Sequence, residues 1–176
     1  MTKSVLMCAV LAMTATVGFA QPKSPPADTS VTIAGKTITI KYSAPSVRGR
    51  KIFGEGGQLS HDPHYPVWRA GANAATALHT DADLDIKGLH VPAGDYTLFV
   101  NVADPDNWEL IVSKDTGEWG LAYKSDKDLG RVKMDMSKPA AMVEVYKMTL
   151  SGTGGKSGTL LLEWENHAAT VPFAVQ

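Results

Sequence analysis

Glycines, basic residues, histidines and a Trp-Arg pair are concentrated in one long connection, residues 42–76. Arg48 and Arg50 flank Gly49, and in an extended chain this spacing would place both guanidinium groups on the same side. Such a pair could bind a carboxylate or a phosphate, because the planar guanidinium makes two-pronged contacts with these anions. Arg69 could add a third contact if the connection folds back. The alternative is that these arginines hold the connection in place through ion pairs with the protein's own carboxylates.

Trp68 precedes Arg69 in a segment that ends with Asn73. A tryptophan beside small residues could line a pocket or fill one end of the core. We group Trp68 with Arg48, Arg50, Arg69 and Asn73 as the predicted ligand-binding residues. Arginines together with a tryptophan favour a small anionic or sugar-like ligand.

Trp119 lies in a predicted turn, Thr116-Gly117-Glu118-Trp119-Gly120. The side chain could cover the edge of a sheet. Carbohydrate-binding platforms also use tryptophans in such turns, as do ordinary loops. The sequence leaves both roles open.

His61, Asp62 and His64 are close enough along the chain to suggest a metal site, since imidazole and carboxylate suit zinc. Pro63 interrupts the set, and no helix holds the two imidazoles on one face. His61 and His64 are therefore only candidate ligands for a metal-assisted hydrolase. Ser43, Ser46 and Ser60 lie in no strand-turn-helix setting of a hydrolase nucleophile. We predict no catalytic residue and no cofactor, and the sequence favours a protein that is not an enzyme.

Residues 1–20 have the layout of a secretory signal peptide, with Lys3 near the start, an apolar run at 5–17 and a small-residue end at Ala20. The apolar run is too short to span a bilayer, which takes about 20 apolar residues. No second run approaches that length, so no transmembrane segment is predicted. We expect cleavage after Ala20 and a periplasmic or extracellular protein. Acylation at Cys8 is the alternative.

The remaining chain is predicted to form a flexible tether, residues 21–28, and a single domain, residues 29–176. Cys8 is the only cysteine, so the domain has no disulfide. A domain of about 150 residues buries enough surface to be stable without one. The whole chain carries 17 basic and 18 acidic side chains, and loss of Lys3 with the signal leaves a net charge of −2. That balance argues against a nucleic-acid partner or an anionic membrane surface.

Short runs of alternating apolar and polar residues follow one another along the domain. The runs at 31–33 and 38–42 flank a short turn at 34–36, which is typical of a β-hairpin. The most apolar run, 96–102, and its neighbour, 108–112, are the predicted sheet centre. Eight to ten such runs occur, and none of them has helical spacing. We therefore predict an all-β fold, an antiparallel two-sheet β-sandwich of jelly-roll-like type, with a β-barrel as the alternative.

Four segments resemble the DUF2911 family of secreted bacterial proteins. They are ITIKYSAPSVRGRKIFG at 38–54, VWRAGAN at 67–73, PAGDYTLF at 92–99 and LEWEN at 162–166. The resemblance covers nearly the whole domain. It implies no established activity, cofactor or catalytic residue, because the family is a domain of unknown function.

Two departures from the family pattern concern the candidate sites. Residues 55–66 replace a shorter family segment, so a metal site on His61 and His64 would be peculiar to this chain. Ala74 stands where the family tends to have an acidic residue. Both departures favour a small-molecule or glycan binding module over an enzyme. An envelope structural or interaction protein, with the connection as its docking surface, is the further alternative.

Overall fold

The computed structural model describes residues 24–117, 119–120 and 122–176. The predicted signal peptide and residues 21–23 of the predicted tether lie outside the described residues. The first strand, β1 (Pro26–Ile33), begins inside the predicted tether and pairs with the next strand from Pro26 onward. The ordered domain therefore starts earlier than the predicted boundary at Thr29. A proline that begins an edge strand removes no inter-strand hydrogen bond, so proline content was a poor sign of a tether here.

Thirteen strands occur in the described residues, more than the eight to ten that the alternation predicted. The additional strands are mostly two or three residues long, too short to produce a visible alternation. After β1 the strands are β2 (Lys36–Ser43), β3 (Val67–Trp68), β4 (Thr76–Thr80), β5 (Leu84–Ile86), β6 (Leu89–Val91), β7 (Gly94–Asn101), β8 (Glu109–Ser113), β9 (Asp128–Lys133), β10 (Asp135–Ser137), β11 (Val143–Gly154), β12 (Ser157–Glu165) and β13 (His167–Val175).

Two antiparallel sheets contain these strands. One has the order β1-β2-β4-β7-β8-β9, with β3 paired to β7, and the other has the order β11-β12-β13-β5-β6, with β10 paired to β13. The sheets are not closed into a barrel, which confirms the predicted β-sandwich. Only two short 3₁₀ helices, Gln58–His61 and Ser125–Lys127, interrupt the strands in the described residues. No described helix has the length and apolar character needed to cross a membrane.

The hairpin of β1 and β2 shows how the alternation builds the core. Ile38 and Ile40 are each 1% exposed, whereas Thr37 and Thr39, which alternate with them, are partly exposed. A strand places successive side chains on opposite faces, so the aliphatic face packs against the other sheet. The predicted central pair, β7 and β8, is confirmed as an interior pair of the first sheet.

Aromatic side chains from both sheets meet at one end of the sandwich, and Phe53 of the long connection inserts among them. The ring of Phe53 lies 4.8 Å from that of Trp108, 5.7 Å from that of Trp164 and 6.2 Å from that of Trp68. Ile52 beside it is fully buried. The connection is therefore anchored in the core, and its position on the sandwich is set by burial of apolar area.

The outer face of β7 is covered by the segment that follows β8. Phe99 points away from the sandwich core yet is only 4% exposed. Its ring packs against Tyr123 at a centroid distance of 4.9 Å. Thr97 on the same face is also buried, and its hydroxyl donates to the backbone carbonyl of Asp115. The segment that carries Trp119 is thereby held against the first sheet.

Candidate ligand-binding site

A cavity of about 430 Å³ opens within the long connection, which supplies all of its lining residues except Ser24 and Trp164. We call it the Arg50 cavity. Its volume falls in the range of small-molecule sites. Trp68 and Trp164 contribute to its apolar wall. Its polar wall includes Arg50, Gln58, His61, Asp62, Arg69 and Asn73.

Arg48 and Gly49 form a tight turn, which corrects the extended geometry expected for this pair of arginines. Both residues have positive φ, 51° and 68°, and the backbone N–H of Arg50 donates to the carbonyl of Val47 at 3.1 Å. These are the features of a type I′ turn. Arg48 is a central residue of the turn and Arg50 is its last residue, so their side chains point in different directions. Arg50 lines the cavity and Arg48 does not. The Arg48 backbone N–H instead donates to Glu144 at 2.8 Å.

Arg50 is hydrogen-bonded only to neutral acceptors in the described part of the chain. Its Nε donates to the carbonyl of Val47 at 3.0 Å, and its Nη2 donates to the carbonyl of Ser46 at 2.7 Å. Its Nη1 donates to the side-chain oxygen of Gln58 at 3.1 Å. These bonds orient the guanidinium without neutralising it. The cavity wall therefore carries a positive charge with no described carboxylate partner.

Arg69 behaves as the alternative interpretation expected, because it is paired with the protein's own acid. Its Nη2 forms an ion pair with Asp62, and the two side chains are 13% and 11% exposed. Its Nη1 donates to the backbone carbonyl of Asn73 at 3.3 Å. The second oxygen of Asp62 accepts the backbone N–H of His64 at 3.0 Å. Arg69 thus fastens the part of the long connection that precedes β3 to the part that follows it.

The two candidate metal ligands are placed differently. His61 lines the cavity, and its Nδ1 lies 3.1 Å from the carbonyl of Gly57. The ring of His64 is 6.1 Å from that of Tyr123 and is not on the cavity wall. No group of three or more His, Cys, Asp or Glu side chains that could hold a metal ion occurs in the described residues.

Residues 24–173 match the family model described as "Protein of unknown function (DUF2911)". The chain belongs to the DUF2911 family. This result confirms the resemblance seen in the four sequence segments. No curated protein and no solved structure matches the chain.

Trp68 in this DUF2911 domain belongs to the core and contributes little surface to the cavity. It is 2% exposed, and its Nε1 donates to the carbonyl of Gly71 at 2.9 Å. Its ring is stacked on Trp164 at 5.5 Å and 22°. Neither face of Trp68 is open to a ligand ring. Asn73 is exposed, has φ of 59°, and its amide donates to the carbonyl of Ser24 at 3.4 Å.

Sequence reasoning missed the contribution of Gln58 and assigned Asp62 to a different role. Gln58 accepts a hydrogen bond from Nη1 of Arg50, and Asp62 neutralises the charge of Arg69. A glutamine in a polar loop carries no sequence signal for such a role. The charge pattern of the connection could have indicated Asp62, since it is one of two acidic residues between Arg50 and Arg69.

Ionisable groups with shifted pKa values lie away from the cavity wall. Hydrogen bonds to Asp95 and Asp81 raise the pKa of His79. Burial lowers the pKa of His167. Burial also raises the pKa of Tyr123 to about 12. Shifted pKa values often mark catalytic centres, but these three groups do not line the Arg50 cavity.

Proposed function

We propose that this DUF2911 domain is a binding module that takes a small anionic ligand in the Arg50 cavity. The observation that carries the proposal is the charge of Arg50, which faces a cavity of suitable volume and has only neutral partners among the described residues. We also propose that the module acts in the periplasm or outside the cell, on the strength of the signal-like residues 1–20.

The charge balance of the cavity wall supports an anion over a neutral or cationic ligand. Arg69 and Asp62 neutralise each other, so Arg50 provides the remaining unit of positive charge. A guanidinium has five N–H donors. The three described bonds of Arg50 leave one N–H on each of its Nη atoms. Two such donors suit a carboxylate, and hydrogen bonds to charged groups contribute about 1.5–3 kcal/mol.

The three hydrogen bonds of Arg50 also fix the orientation of the guanidinium before binding. The two carbonyls and the Gln58 amide hold the Arg50 side chain in one orientation before a ligand arrives. A side chain that is already ordered loses less conformational entropy on binding. Phe53, inserted in the aromatic core, fixes the backbone nearby. The Arg50 side of the cavity therefore already has its binding geometry in the absence of a ligand.

A ligand screen tests the proposal by thermal unfolding. The mature protein would be heated with a library of organic acids, acidic sugars and their uncharged analogues, and hits would be titrated by calorimetry. At 100 times the dissociation constant, a ligand that binds only the native state stabilises it by about 2.7 kcal/mol. For a domain of this size, that corresponds to a rise in Tm of about 5–10 °C.

Two substitutions at one position separate charge from shape. Arg50→Gln should abolish the Tm rise, whereas Arg50→Lys should retain part of it because the positive charge remains. Lys133→Gln is the matched control, since it removes one positive charge at an exposed position of β9 that does not line the cavity. The proposal is wrong if no compound raises Tm, or if the hits bind Arg50→Gln as well as the wild type. The absence of any hit would favour the docking-surface alternative.

A further inference from the structure

Trp119 is the tryptophan that the fold leaves accessible. Its exposed fraction is 62%, whereas Trp68, Trp108 and Trp164 are each 2–3% exposed. A tryptophan that only covered a sheet edge would bury much of its ring against that edge. Exposed single apolar residues are common on proteins, so the argument depends on where Trp119 is held.

The backbone of Trp119 and of Gly120 pairs with the chain at Asn73 and Ala74, next to the wall of the Arg50 cavity. Trp119 forms an antiparallel bridge with Ala74, and the N–H of Gly120 donates to the carbonyl of Asn73 at 3.3 Å. Asn73 and Arg69 both line the cavity. Trp119 does not line the cavity itself, but its bridge partner Ala74 directly follows Asn73, which does, so the Trp119 turn lies beside the cavity wall.

Gly120 permits this close approach. A Cβ atom at this position would lie 2.3 Å from Cδ of Arg69 and 2.7 Å from the carbonyl oxygen of Asn73. Both distances are shorter than packed atoms allow. The absence of a side chain at Gly120 thus lets the Trp119 turn pack directly on the ion-paired Arg69.

We propose that Trp119 is the aromatic platform of the Arg50 cavity and that the ligand is an acidic sugar, a pyranose ring that carries a carboxylate. This inference depends on the proposed function, because it assumes that Arg50 binds the anionic group. The indole face is electron-rich and flat, and it complements the C–H groups on one face of a pyranose. Gln58 and Asn73 supply amide groups for ring hydroxyls. Trp68 cannot take the platform role, because both its faces are buried.

Three kinds of probe separate the ring from the charge. Hexuronates, namely D-glucuronate, D-galacturonate and D-mannuronate, have both the ring and the carboxylate. D-gluconate has the carboxylate and hydroxyls without the ring, and methyl glucoside has the ring without the charge. We expect at least one hexuronate to bind more tightly than gluconate, and methyl glucoside not to bind measurably.

Variants of Trp119 then test the platform. Trp119→Ala should weaken hexuronate binding about 3- to 10-fold, the range expected for loss of one aromatic contact, and leave gluconate affinity unchanged. Trp119→Phe should restore part of the loss. Met142→Ala, a truncation of another exposed apolar side chain, is the matched control and should change neither affinity. Circular dichroism should show that each variant is folded.

Tryptophan fluorescence adds a direct readout. Because the other three tryptophans are buried, acrylamide should quench mainly Trp119, and a bound hexuronate should protect that fraction. If organic acids bind but hexuronates show no preference over gluconate and no protection of Trp119, the platform inference is overturned and the proposed function stands. If none of these probes binds although other organic acids do, only the platform inference is overturned. If Arg50→Gln leaves all binding unchanged, or if no probe and no organic acid binds, both are overturned.

Discussion

The ion pair between Arg69 and Asp62 should make a large contribution to stability. Arg69→Met removes the guanidinium and keeps most of the side-chain volume, and Asp62→Asn removes the carboxylate charge. Exposed pairs contribute about 0–1 kcal/mol, and breaking a fully buried pair costs about 3–5 kcal/mol. With the side chains 13% and 11% exposed, the pair lies nearer the buried limit. Asp62 still accepts the hydrogen bond from the backbone N–H of His64 after Arg69 is removed. This bond reduces the loss of stability.

We therefore expect each single variant to lower the free energy of unfolding by about 2–3 kcal/mol. For a domain of this size the corresponding drop in Tm is about 4–12 °C. The double variant should lose less than the sum of the two single losses, with a coupling energy of about 1–2 kcal/mol. The measurement is urea unfolding at pH 7 of residues 21–176, for the wild type, both single variants and the double variant.

Arg50→Met is the matched control for the cost of removing an arginine from the same connection. Its partners in the described residues are neutral and its side chain is exposed, so water can replace them and the loss should stay below about 1 kcal/mol. A coupling energy between Arg69 and Asp62 below about 0.5 kcal/mol would refute the reasoning. Arg69 would then be available to a ligand, and the cavity would carry two usable positive charges.

Three further predictions concern other parts of the fold. His79 has its pKa raised by hydrogen bonds to Asp95 and Asp81, so its contribution to stability should be complete below pH 6.5 and should disappear as the pH rises through the folded-state pKa; urea melts of His79→Gln and wild type from pH 5 to 9 test this. Ala34 has a φ of 51° in the two-residue turn between β1 and β2, so Ala34→Asn should stabilise by about 0.5–1 kcal/mol in urea unfolding. A Cβ at Gly57 would lie 2.5 Å from a backbone oxygen, so Gly57→Ala should lower stability by about 1–3 kcal/mol in the same assay.

Each of these has an outcome that would contradict it. A stability difference between His79→Gln and wild type that is constant across the pH range would show that the histidine does not titrate differently on folding. A loss of stability in Ala34→Asn would mean that the positive φ of Ala34 does not cost the turn stability that a more tolerant residue could restore. Gly57→Ala with wild-type stability would mean that the connection moves aside at little cost.

The predicted fold class follows from local patterns, which a sequence displays directly. Alternation with period two gave the hairpin of β1 and β2 and the central pair of β7 and β8, because the side-chain period of a strand is a property of the backbone alone. The short strands β5 and β6 contribute two or three alternating positions each, and so the strand count was underestimated. Whether two sheets face each other or close into a barrel depends on which strands are neighbours, and the tertiary structure decided it.

The composition of the candidate site was partly visible in the sequence, and its geometry was not. The connection rich in basic and aromatic residues does border a cavity, with Arg50, Arg69 and Asn73 on its wall. The roles of its members depend on contacts between residues far apart in the chain. The turn at Arg48 requires positive φ at a residue that seldom adopts it, so nothing in the sequence distinguished a turn from an extended segment.

Pairing of charges is the clearest case in which only the folded chain decides. Arg50 and Arg69 have the same side chain and lie in the same connection. Arg50 donates hydrogen bonds to backbone carbonyls, whereas Arg69 forms an ion pair with Asp62. Trp119 is likewise brought beside Asn73, on the cavity wall, by a bridge to Ala74, 45 residues earlier in the chain. The sequence determines which chemical groups exist and which segments form strands. Their distances are set when the two sheets pack and the loops close over the end of the core, because that packing brings together groups that the order of the chain keeps apart.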